Sequence, residues 1–495
     1  MSDALAQIIR ETVARGYQIE PKAFSRLQQI SRGIDLFALI NEVMKRKGED
    51  RIIRVEDIER FLEKDDKEVQ KEKEVEVDLA VNFKILQSIS ELKTAAGVIG
   101  YQRLFLSRYK KLLSIIKKRM DSSNPTKISE ISGRRSTKVA GLVYAKNVRK
   151  SSATIVIEDD TDRIEATAFD QSVIKNIQEI PLDSAAVATI TSGKKSTYIV
   201  ESLSLPDIAE HVPNTSKKRV YAALTSDLHV GNTFFLKEAF QKFINWLNMR
   251  EEDIAARLRY LLICGDIIDG VGVYPNQDKE LETADVTKQL DQLTTFLKQI
   301  PSYIQIFICP GNHEPVRQAL PQPPVSISYF GALTKLPNIH SLSNPAWLEL
   351  EGVRILMYHG RSIEDIVATT PGLSVERPAL AMKILLKARH VAPVYGRRTP
   401  ILPAEEDLLV IDEVPDIFHS GHVHILDSER YRGCLILNSG TWQTQTSYQL
   451  DMGINPTPAI LPIIDLSTLE TVTMDFSKQQ KTQQDLQQTR QELVT

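Results

Sequence analysis

The chain has 495 residues, of which 42% are hydrophobic and 25% charged, a composition typical of a soluble globular protein with several domains. Its net charge of −3 excludes a general attraction to nucleic acid, so any such binding has to come from a local basic surface. The three cysteines are widely spaced, which argues against a disulfide framework or a zinc knuckle and predicts a reducing compartment. The sequence shows no signal peptide and no stretch long enough to span a bilayer, so we expect a cytoplasmic protein.

The first part of the chain is predicted to be helical. Residues 1–64 form a helical N-terminal domain in this prediction, because their apolar residues recur at intervals of three and four. Residues 65–100 are predicted to be a charged linker and connecting segment. A basic helix follows at 101–130, and its first part, 101–120, carries seven Arg or Lys and no acid. We interpret its charged face as solvent-exposed, with a phosphate-binding surface as the alternative.

Residues 136–205 are predicted to form an OB-fold barrel. Short alternating strands are separated by the turns "VRKSS" and "DDTD", and a helix precedes the last two strands. Such barrels bind single-stranded nucleic acid or dock other proteins. Aromatic residues able to stack on bases are few here (Tyr144, Phe169 and Tyr198), so both roles stay open.

The largest predicted domain, residues 219–476, repeats one pattern, and a polar Gln-rich tail follows it at 477–495. In this pattern a short apolar strand ends and polar side chains follow at once, in "SDLHVGN", "GDIIDG", "PGNHE", "HG" and "GHVH". Ligands gather at the carboxyl ends of strands in layered α/β folds, so we expect these segments to converge. Their polar residues are Asp227, His229, Asp266, Asp269, Asn312, His313, His359, His422 and His424.

These residue types indicate a metal site. Imidazole, carboxylate and amide oxygen suit Mn²⁺, Fe²⁺ or Zn²⁺, and no thiolate accompanies them. Asp227 and His229 are two residues apart, as are His422 and His424, a spacing that turns both side chains of a pair to the same side. Two cations roughly 3.5–4 Å apart can clamp a phosphate and activate a water. An ordinary polar loop is the alternative for each motif alone, but the ordered set predicts a di-metal site.

The ordered motifs resemble those of the calcineurin-like metallophosphoesterase superfamily. The order of domains is similar to that of the B-subunit family of replicative DNA polymerases, and residues 381–424 resemble its archaeal family D branch in particular. The resemblance implies an α/β fold. It would consist of a two-sheet β-sandwich flanked by helices, preceded by the OB-fold barrel and a small helical N-terminal domain.

The resemblance also implies two metal sites that share Asp266. The first would be completed by Asp227, His229 and His424, and the second by Asn312, His359 and His422. Mn²⁺ is the expected ion at both, with Fe²⁺, Zn²⁺ and Mg²⁺ as alternatives.

Two residues are expected to act without binding metal. His313 would lie beside the scissile phosphate, as a general acid or as a stabiliser of the charge on phosphorus. Asp269 would hydrogen-bond His313 and fix its tautomer, with a turn or a helix cap as the alternative role.

The implied function is that of a proofreading subunit of a two-subunit replicative DNA polymerase. It would be a 3′→5′ exonuclease that prefers single-stranded or mismatched ends, and its partners would be a large catalytic subunit, DNA and a sliding clamp. Two alternatives remain: a non-catalytic scaffold subunit, and a stand-alone metal-dependent phosphodiesterase. The complete ligand set argues against the scaffold, and the barrel argues against an enzyme of small molecules.

Overall fold

The computed structural model divides the chain into two compact units, Met1–Ala80 and Val81–Thr495. No helix among the placed residues combines the length and the apolar character that a membrane span needs. The residues that the structure describes are 3–30, 39–41, 43–44, 47, 51–59, 80–119, 124–132, 136–193, 197–331 and 333–478.

The first unit is a small helical domain with its own core. Its helices Asp3–Ala14 and Pro21–Ile30 are accompanied by two short parallel strands, β1 (Gln18–Ile19) and β2 (Ile52–Ile53). The buried side chains Leu27 and Ile53 belong to this core. Strands of two residues leave no alternation to detect in a sequence, which is why the prediction contained helices alone. The charged residues 60–79 lie outside the described part of the chain.

The second unit begins with strand β3 (Phe83–Ser88) and the helix Gly97–Arg119. The predicted basic helix, 101–130, therefore starts too late and ends too late. Residues 124–127 are not helical, in accord with the restriction that Pro125 places on the residue before it, and the short 3₁₀ turn Ile128–Glu130 follows.

A closed five-stranded barrel comes next, within the predicted range 136–205. Buried and less buried residues alternate along its second strand, so that Ile155 and Ile157 point into the barrel core. The helix Gln171–Glu179 lies between its third and fourth strands, as the OB-fold prediction requires. The spatial order is β4-β5-β6-β8-β7, with strands β4 (Thr137–Val148), β5 (Ala153–Glu158), β6 (Arg163–Ala168), β7 (Ala185–Ser192) and β8 (Tyr198–Ser204).

Two six-stranded sheets build the largest domain. The first sheet has the order β12-β11-β10-β9-β18-β19, with β9 (Tyr221–Thr225), β10 (Leu258–Cys264), β11 (Gln305–Cys309), β12 (Ile339–Ser341), β18 (Ile460–Asp465) and β19 (Glu470–Asp475). The second has the order β16-β17-β15-β14-β13-β3, with β13 (Ala346–Leu350), β14 (Val353–Met357), β15 (Ile417–Ser420), β16 (Asp427–Tyr431) and β17 (Cys434–Asn438).

The sheets and helices form four layers. In β10, Leu262 and Cys264 belong to the core between the sheets, whereas Leu261 and Ile263 belong to the core under the helices of the first sheet. Because both faces of this strand are buried, its sequence is a continuous apolar run. The predicted helix-flanked β-sandwich therefore agrees with the structure. The helices of this domain are Lys237–Met249, Asp253–Arg257, Val286–Leu297, Ile327–Phe330, Ser362–Thr369, Pro378–Ala388 and Ser447–Asp451.

Strand β3 corrects the prediction of a connecting segment through 65–100. It pairs antiparallel with β13, and Phe83 lies opposite Leu350 at the edge of the second sheet. Three consecutive exposed residues interrupt the alternation that would reveal a strand.

The helix Gly97–Arg119 packs against both the barrel and the sandwich domain. Arg108 is fully buried and forms a 2.7 Å ion pair with Asp407, and its Nη1 donates to the carbonyl of Asp183 beside the barrel. Arg103 pairs with Glu405 on the same segment. The interpretation of the basic face as wholly solvent-exposed is therefore wrong, because part of it joins the two domains.

Candidate metal centre

The predicted polar segments follow strands β9, β10 and β11 of the first sheet and β14 and β15 of the second. Within each sheet these strands are parallel neighbours, so their carboxyl ends lie at the same edge. The side chains that follow them meet in one buried cluster, which brings together the whole predicted set. Three groups within it have ligand atoms close enough for a single ion, and the third, His229, Asp269 and His313, shares His229 with the first.

The first group consists of Asp227, His229 and His424. The Nε2 atoms of the two histidines lie 3.0 Å apart, and Oδ1 of Asp227 lies 3.4 Å from Nε2 of His424. Within the described part of the chain, that Oδ1 atom is buried and accepts no hydrogen bond. A buried carboxylate oxygen beside two converging imidazole nitrogens fits a divalent cation, because unpaired buried polar atoms are costly.

The second group consists of Asp266, His359 and His422, with Asn312 beside them. Nε2 of His359 lies 3.2 Å from Oδ2 of Asp266 and 3.2 Å from Oδ1 of Asn312. Both ring nitrogens of His422 are buried, and neither has a hydrogen-bond partner among the residues described. This donor set of imidazole, carboxylate and amide oxygen also fits a divalent cation.

The backbone at these ligands is strained. Side chains other than glycine rarely adopt positive φ, and each such residue costs about 1 kcal/mol or more. A cluster of them at one site indicates that the surrounding fold holds the ligands in place for a function. The residues concerned are Asp227 (φ 52°), His229 (52°), Asp266 (52°), His422 (73°) and His424 (62°).

A glycine in the "PGNHE" segment allows two of the ligand loops to approach each other closely. A Cβ atom at Gly311 would lie 2.2 Å from Oδ1 of Asp266 and 2.7 Å from Nε2 of His359. Any larger residue would therefore displace ligands of the second group, which explains the glycine before Asn312.

Hydrogen bonds orient the imidazole rings. Nδ1 of His359 donates to the carbonyl of Cys264 at 2.8 Å, which turns its Nε2 toward Asp266. Nδ1 of His229 donates to Oδ1 of Asp269 at 3.0 Å and turns its Nε2 toward His424. Such contacts fix the tautomer that leaves Nε2 available for a cation.

Asp269 differs from its predicted role in one respect. The carboxylate of Asp269 was predicted to orient His313. Instead, Nδ1 of His313 donates to the main-chain carbonyl of Asp269 at 2.6 Å. The carboxylate instead accepts from His229, Asn232 and Gln277. Asp269 thus orients both histidines, one through its side chain and the other through its backbone.

His313 lies at the edge of the cluster. Its Nε2 is 3.8 Å from Oδ2 of Asp266, and its ring lines a cavity of about 210 Å³. Its ring packs edge-on against that of His229, with centroids 4.6 Å apart. Because Nδ1 is engaged by the backbone, Nε2 is the nitrogen that can reach a bound phosphate.

Glu314 is a residue whose contribution the sequence prediction did not include. Its buried carboxylate accepts hydrogen bonds from the backbone N–H groups of Asp266 (3.0 Å), Ile267 (2.8 Å) and Gly311 (2.5 Å). One side chain thereby holds the loops after β10 and β11 together. Its position directly after the Asn-His pair was the available signal, but the partners are backbone groups that no motif displays.

The charge states suit cation binding with one exception. Burial by itself would raise the pKa of Asp266, but His359 and His313 hold that pKa well below its usual range. Burial lowers the pKa of His422 to about 4, so its ring is neutral. Burial also favours neutral His359, yet Asp266 and Asp227 outweigh it and raise the pKa of His359 to about 10. His359 must therefore lose a proton when a cation binds.

The family profile and the curated relatives agree on one family. The sequence profile of the DNA polymerase alpha/epsilon B-subunit family matches residues 222–424. The DNA polymerase II small subunit of Pyrococcus horikoshii is 37% identical over 425 residues, which cover 82% of this chain and 68% of that protein. The DNA polymerase II small subunit of Methanothermobacter thermautotrophicus is 33% identical over 487 residues, or 95% of this chain and 100% of that protein. A solved archaeal phosphodiesterase covers 52% of this chain at 13% identity, with a TM-score of 0.26 that is too low to transfer an activity.

Proposed function

Because the chain belongs to the archaeal DNA polymerase II small subunits, we propose that it is a proofreading subunit that removes nucleotides from DNA 3′ ends. The observation that carries this proposal is the convergence of two metal-ligand groups on one cavity, with His313 beside them. A scaffold subunit would have no need to hold five ligands in strained backbone conformations.

The residues of the site can be assigned to two metal positions. Asp227, His229 and His424 would hold one divalent cation, and Asn312, His359 and His422 the other. Asp266 belongs to the second group, where its Oδ2 lies 3.2 Å from Nε2 of His359, and it would be the ligand shared with the first cation. Bound cations would supply Lewis acidity to the phosphodiester and lower the pKa of water. The donor set of imidazole, carboxylate and amide oxygen suits Mn²⁺, Fe²⁺ or Zn²⁺, and Mn²⁺ is the proposed ion.

The chain's own groups would position the phosphodiester and supply a proton. His313 would donate through Nε2 to the departing 3′ oxygen, while the carbonyl of Asp269 keeps its ring in place. Burial lowers the pKa of His313, but Asp266 and Asp269 outweigh this and raise the pKa overall, a direction that favours the proton-donating form. Glu314 would keep the ligand loops rigid, so that little reorganisation accompanies the reaction.

The proposed partners are a large catalytic polymerase subunit, DNA and a sliding clamp. DNA would be bound by local basic surfaces, since the net charge of −3 gives no general attraction. Lys110, Lys117 and Lys118 stay exposed on the helix Gly97–Arg119, and Arg149 and Lys150 are exposed on the first turn of the barrel. These residues are the proposed contacts to the DNA backbone.

The test is hydrolysis of labelled oligonucleotides in Mn²⁺ and in a chelator. Matched and mismatched duplexes and single strands, labelled at the 5′ or the 3′ end, report direction and preference together. We expect mononucleotide release from the 3′ end, faster on mismatched and single-stranded ends because unpairing costs least there. Shortening from the 5′ end, or equal rates on matched and mismatched ends, would contradict proofreading and favour a general phosphodiesterase.

The scaffold alternative requires a separate experiment. The complex with the large subunit, assembled from wild-type chain or from His313→Ala, should be compared in DNA synthesis and in 3′ mismatch removal. We expect His313→Ala to spare synthesis and to abolish mismatch removal. If mismatch removal persists at the wild-type rate, this chain serves the complex as a scaffold.

A further inference from the structure

We infer that Tyr274 and Tyr448 form a stacking surface for the terminal base of the strand that is hydrolysed. The inference deepens the proposed function and rests on it. Both rings line the cavity that five of the predicted metal ligands also line, yet neither belongs to the predicted site. Their partner would be a nucleobase, so they would bind the part of the substrate that the metal centre does not contact.

The two tyrosine rings follow His313 in space, one after the other. The ring centroid of Tyr274 lies 6.1 Å from that of His313, and the ring of Tyr448 lies 6.3 Å from Tyr274 at an angle of 37°. The histidine that would face the scissile phosphate is therefore followed directly by two aromatic faces. A nucleotide has the same order of parts, with a phosphate next to a sugar and a flat base.

The carboxylate of Glu280 accepts hydrogen bonds from both segments that carry the tyrosines. Oε2 of Glu280 accepts from the hydroxyl of Tyr274 at 3.0 Å, and its Oε1 accepts from the backbone N–H of Ser447 at 3.2 Å. Asn232 donates to the same tyrosine hydroxyl at 3.3 Å. The segments that carry the two rings are thus held together before any substrate binds, which lowers the entropy cost of binding.

The helix that carries Tyr448 is also tied to the metal centre. A capping box between Thr446 and Gln449 fixes the start of this helix. Nε2 of Gln449 then lies 2.7 Å from Nδ1 of His424. The helix that carries Tyr448 is therefore in direct contact with a metal ligand.

The lining of the cavity suits a base better than a bare phosphate ester. Apolar side chains, Val273, Val375 and Ile454, line it together with the tyrosines. Tyr448 is 46% exposed, so its side chain is accessible to a ligand. Stacking on an aromatic side chain contributes about 1–3 kcal/mol per base and tolerates every base, as removal of any misincorporated nucleotide requires.

The inference is tested with an oligonucleotide that carries 2-aminopurine at its 3′ end, whose fluorescence is quenched when the base stacks. The full chain is mixed with this probe in a chelator, so that binding is measured without hydrolysis. We expect quenching with the wild type and with Tyr448→Phe, and its loss with Tyr448→Ala. Tyr329 is 44% exposed and lies outside the cavity lining, so Tyr329→Ala is the matched control.

A second readout compares oligonucleotides that end in a normal or an abasic nucleotide, with Mn²⁺ present. Tyr448→Ala should raise the KM for the normal end roughly 5- to 150-fold and leave the KM for the abasic end unchanged. Equal losses on both ends, or a Tyr448→Phe variant as impaired as Tyr448→Ala, would overturn the stacking surface. Tyr448-dependent quenching without any hydrolysis by the wild type would instead overturn the proposed exonuclease and leave the stacking surface standing.

Discussion

Nδ1 of His313 donates to the main-chain carbonyl of Asp269 at 2.6 Å, which leaves Nε2 of His313 directed at the cavity. We assign this nitrogen to the substrate and not to a metal, although ligand atoms of His313, His229 and Asp269 also lie within 4.8 Å of one another. His313→Ala should therefore keep its bound metal and lose turnover by about 10²–10⁴-fold, the usual contribution of a general acid. Metal analysis of the purified variant, alongside its hydrolysis rate, checks this. Parallel loss of metal and rate would make His313 a ligand.

Asp266 is expected to be the ligand shared by both metals. Asp266→Asn keeps the shape of the side chain but weakens both positions, so metal content and activity should fall together while the fold persists. Metal titration and circular dichroism measure the two effects. Asp278→Asn, a change at an exposed carboxylate, is the control and should retain both metals. An Asp266→Asn variant with full metal content would refute the bridging role.

Glu314 is expected to act on the ligand loops and not on the substrate. In Glu314→Gln, an amide NH₂ group would replace one of the oxygens that accept from backbone N–H groups. We expect a loss of about 1–3 kcal/mol in the free energy of unfolding, since a buried donor is left unpaired. Metal affinity should weaken as well. Denaturant unfolding and metal titration provide the measurements, and an unchanged value in both would remove this role from Glu314.

Arg108 should matter more for stability than its exposed neighbour Arg103. Arg108→Met leaves the fully buried Asp407 without its arginine, and breaking a buried pair costs about 3–5 kcal/mol. Arg103→Met breaks the exposed pair with Glu405 and should cost less than about 1 kcal/mol. Denaturant unfolding of both variants tests the difference. Similar small losses would show that the buried pair contributes little to holding the helix between the domains.

His390 should make stability depend on pH. Burial, and then Arg108, lower its pKa to about 4 from the ordinary 6.5, so the unfolded chain takes up a proton first as the pH falls. The wild type should lose roughly 3 kcal/mol between about pH 6.5 and pH 4 relative to His390→Gln, which lacks this titration. Unfolding free energies of both proteins across this window decide the point. If the unfolding free energies of the two proteins change with pH in parallel, folding does not lower the pKa of His390.

Most of the candidate site could be predicted because each part of it is encoded locally. Asp227 and His229 follow one strand directly, and His422 and His424 follow another, so an apolar run and the motif after it mark the position of each ligand. The orienting contacts could not be predicted in the same way. The carboxylate of Asp269 accepts from His229, a partner on another loop, although His313 was the expected one.

The sequence by itself determined where the strands of the sandwich end, which side chains follow them, and that the barrel precedes them. These features depend on the two-residue period of strands and on short motifs, which are properties of neighbouring residues. Only the tertiary structure decided that Phe83 begins an edge strand paired with Leu350, and that Tyr274 and Tyr448 share one cavity. Their contacts join segments that are far apart in the chain. Chain folding brings such segments together by burying apolar surface and satisfying backbone groups, and neither process leaves a local pattern in the sequence.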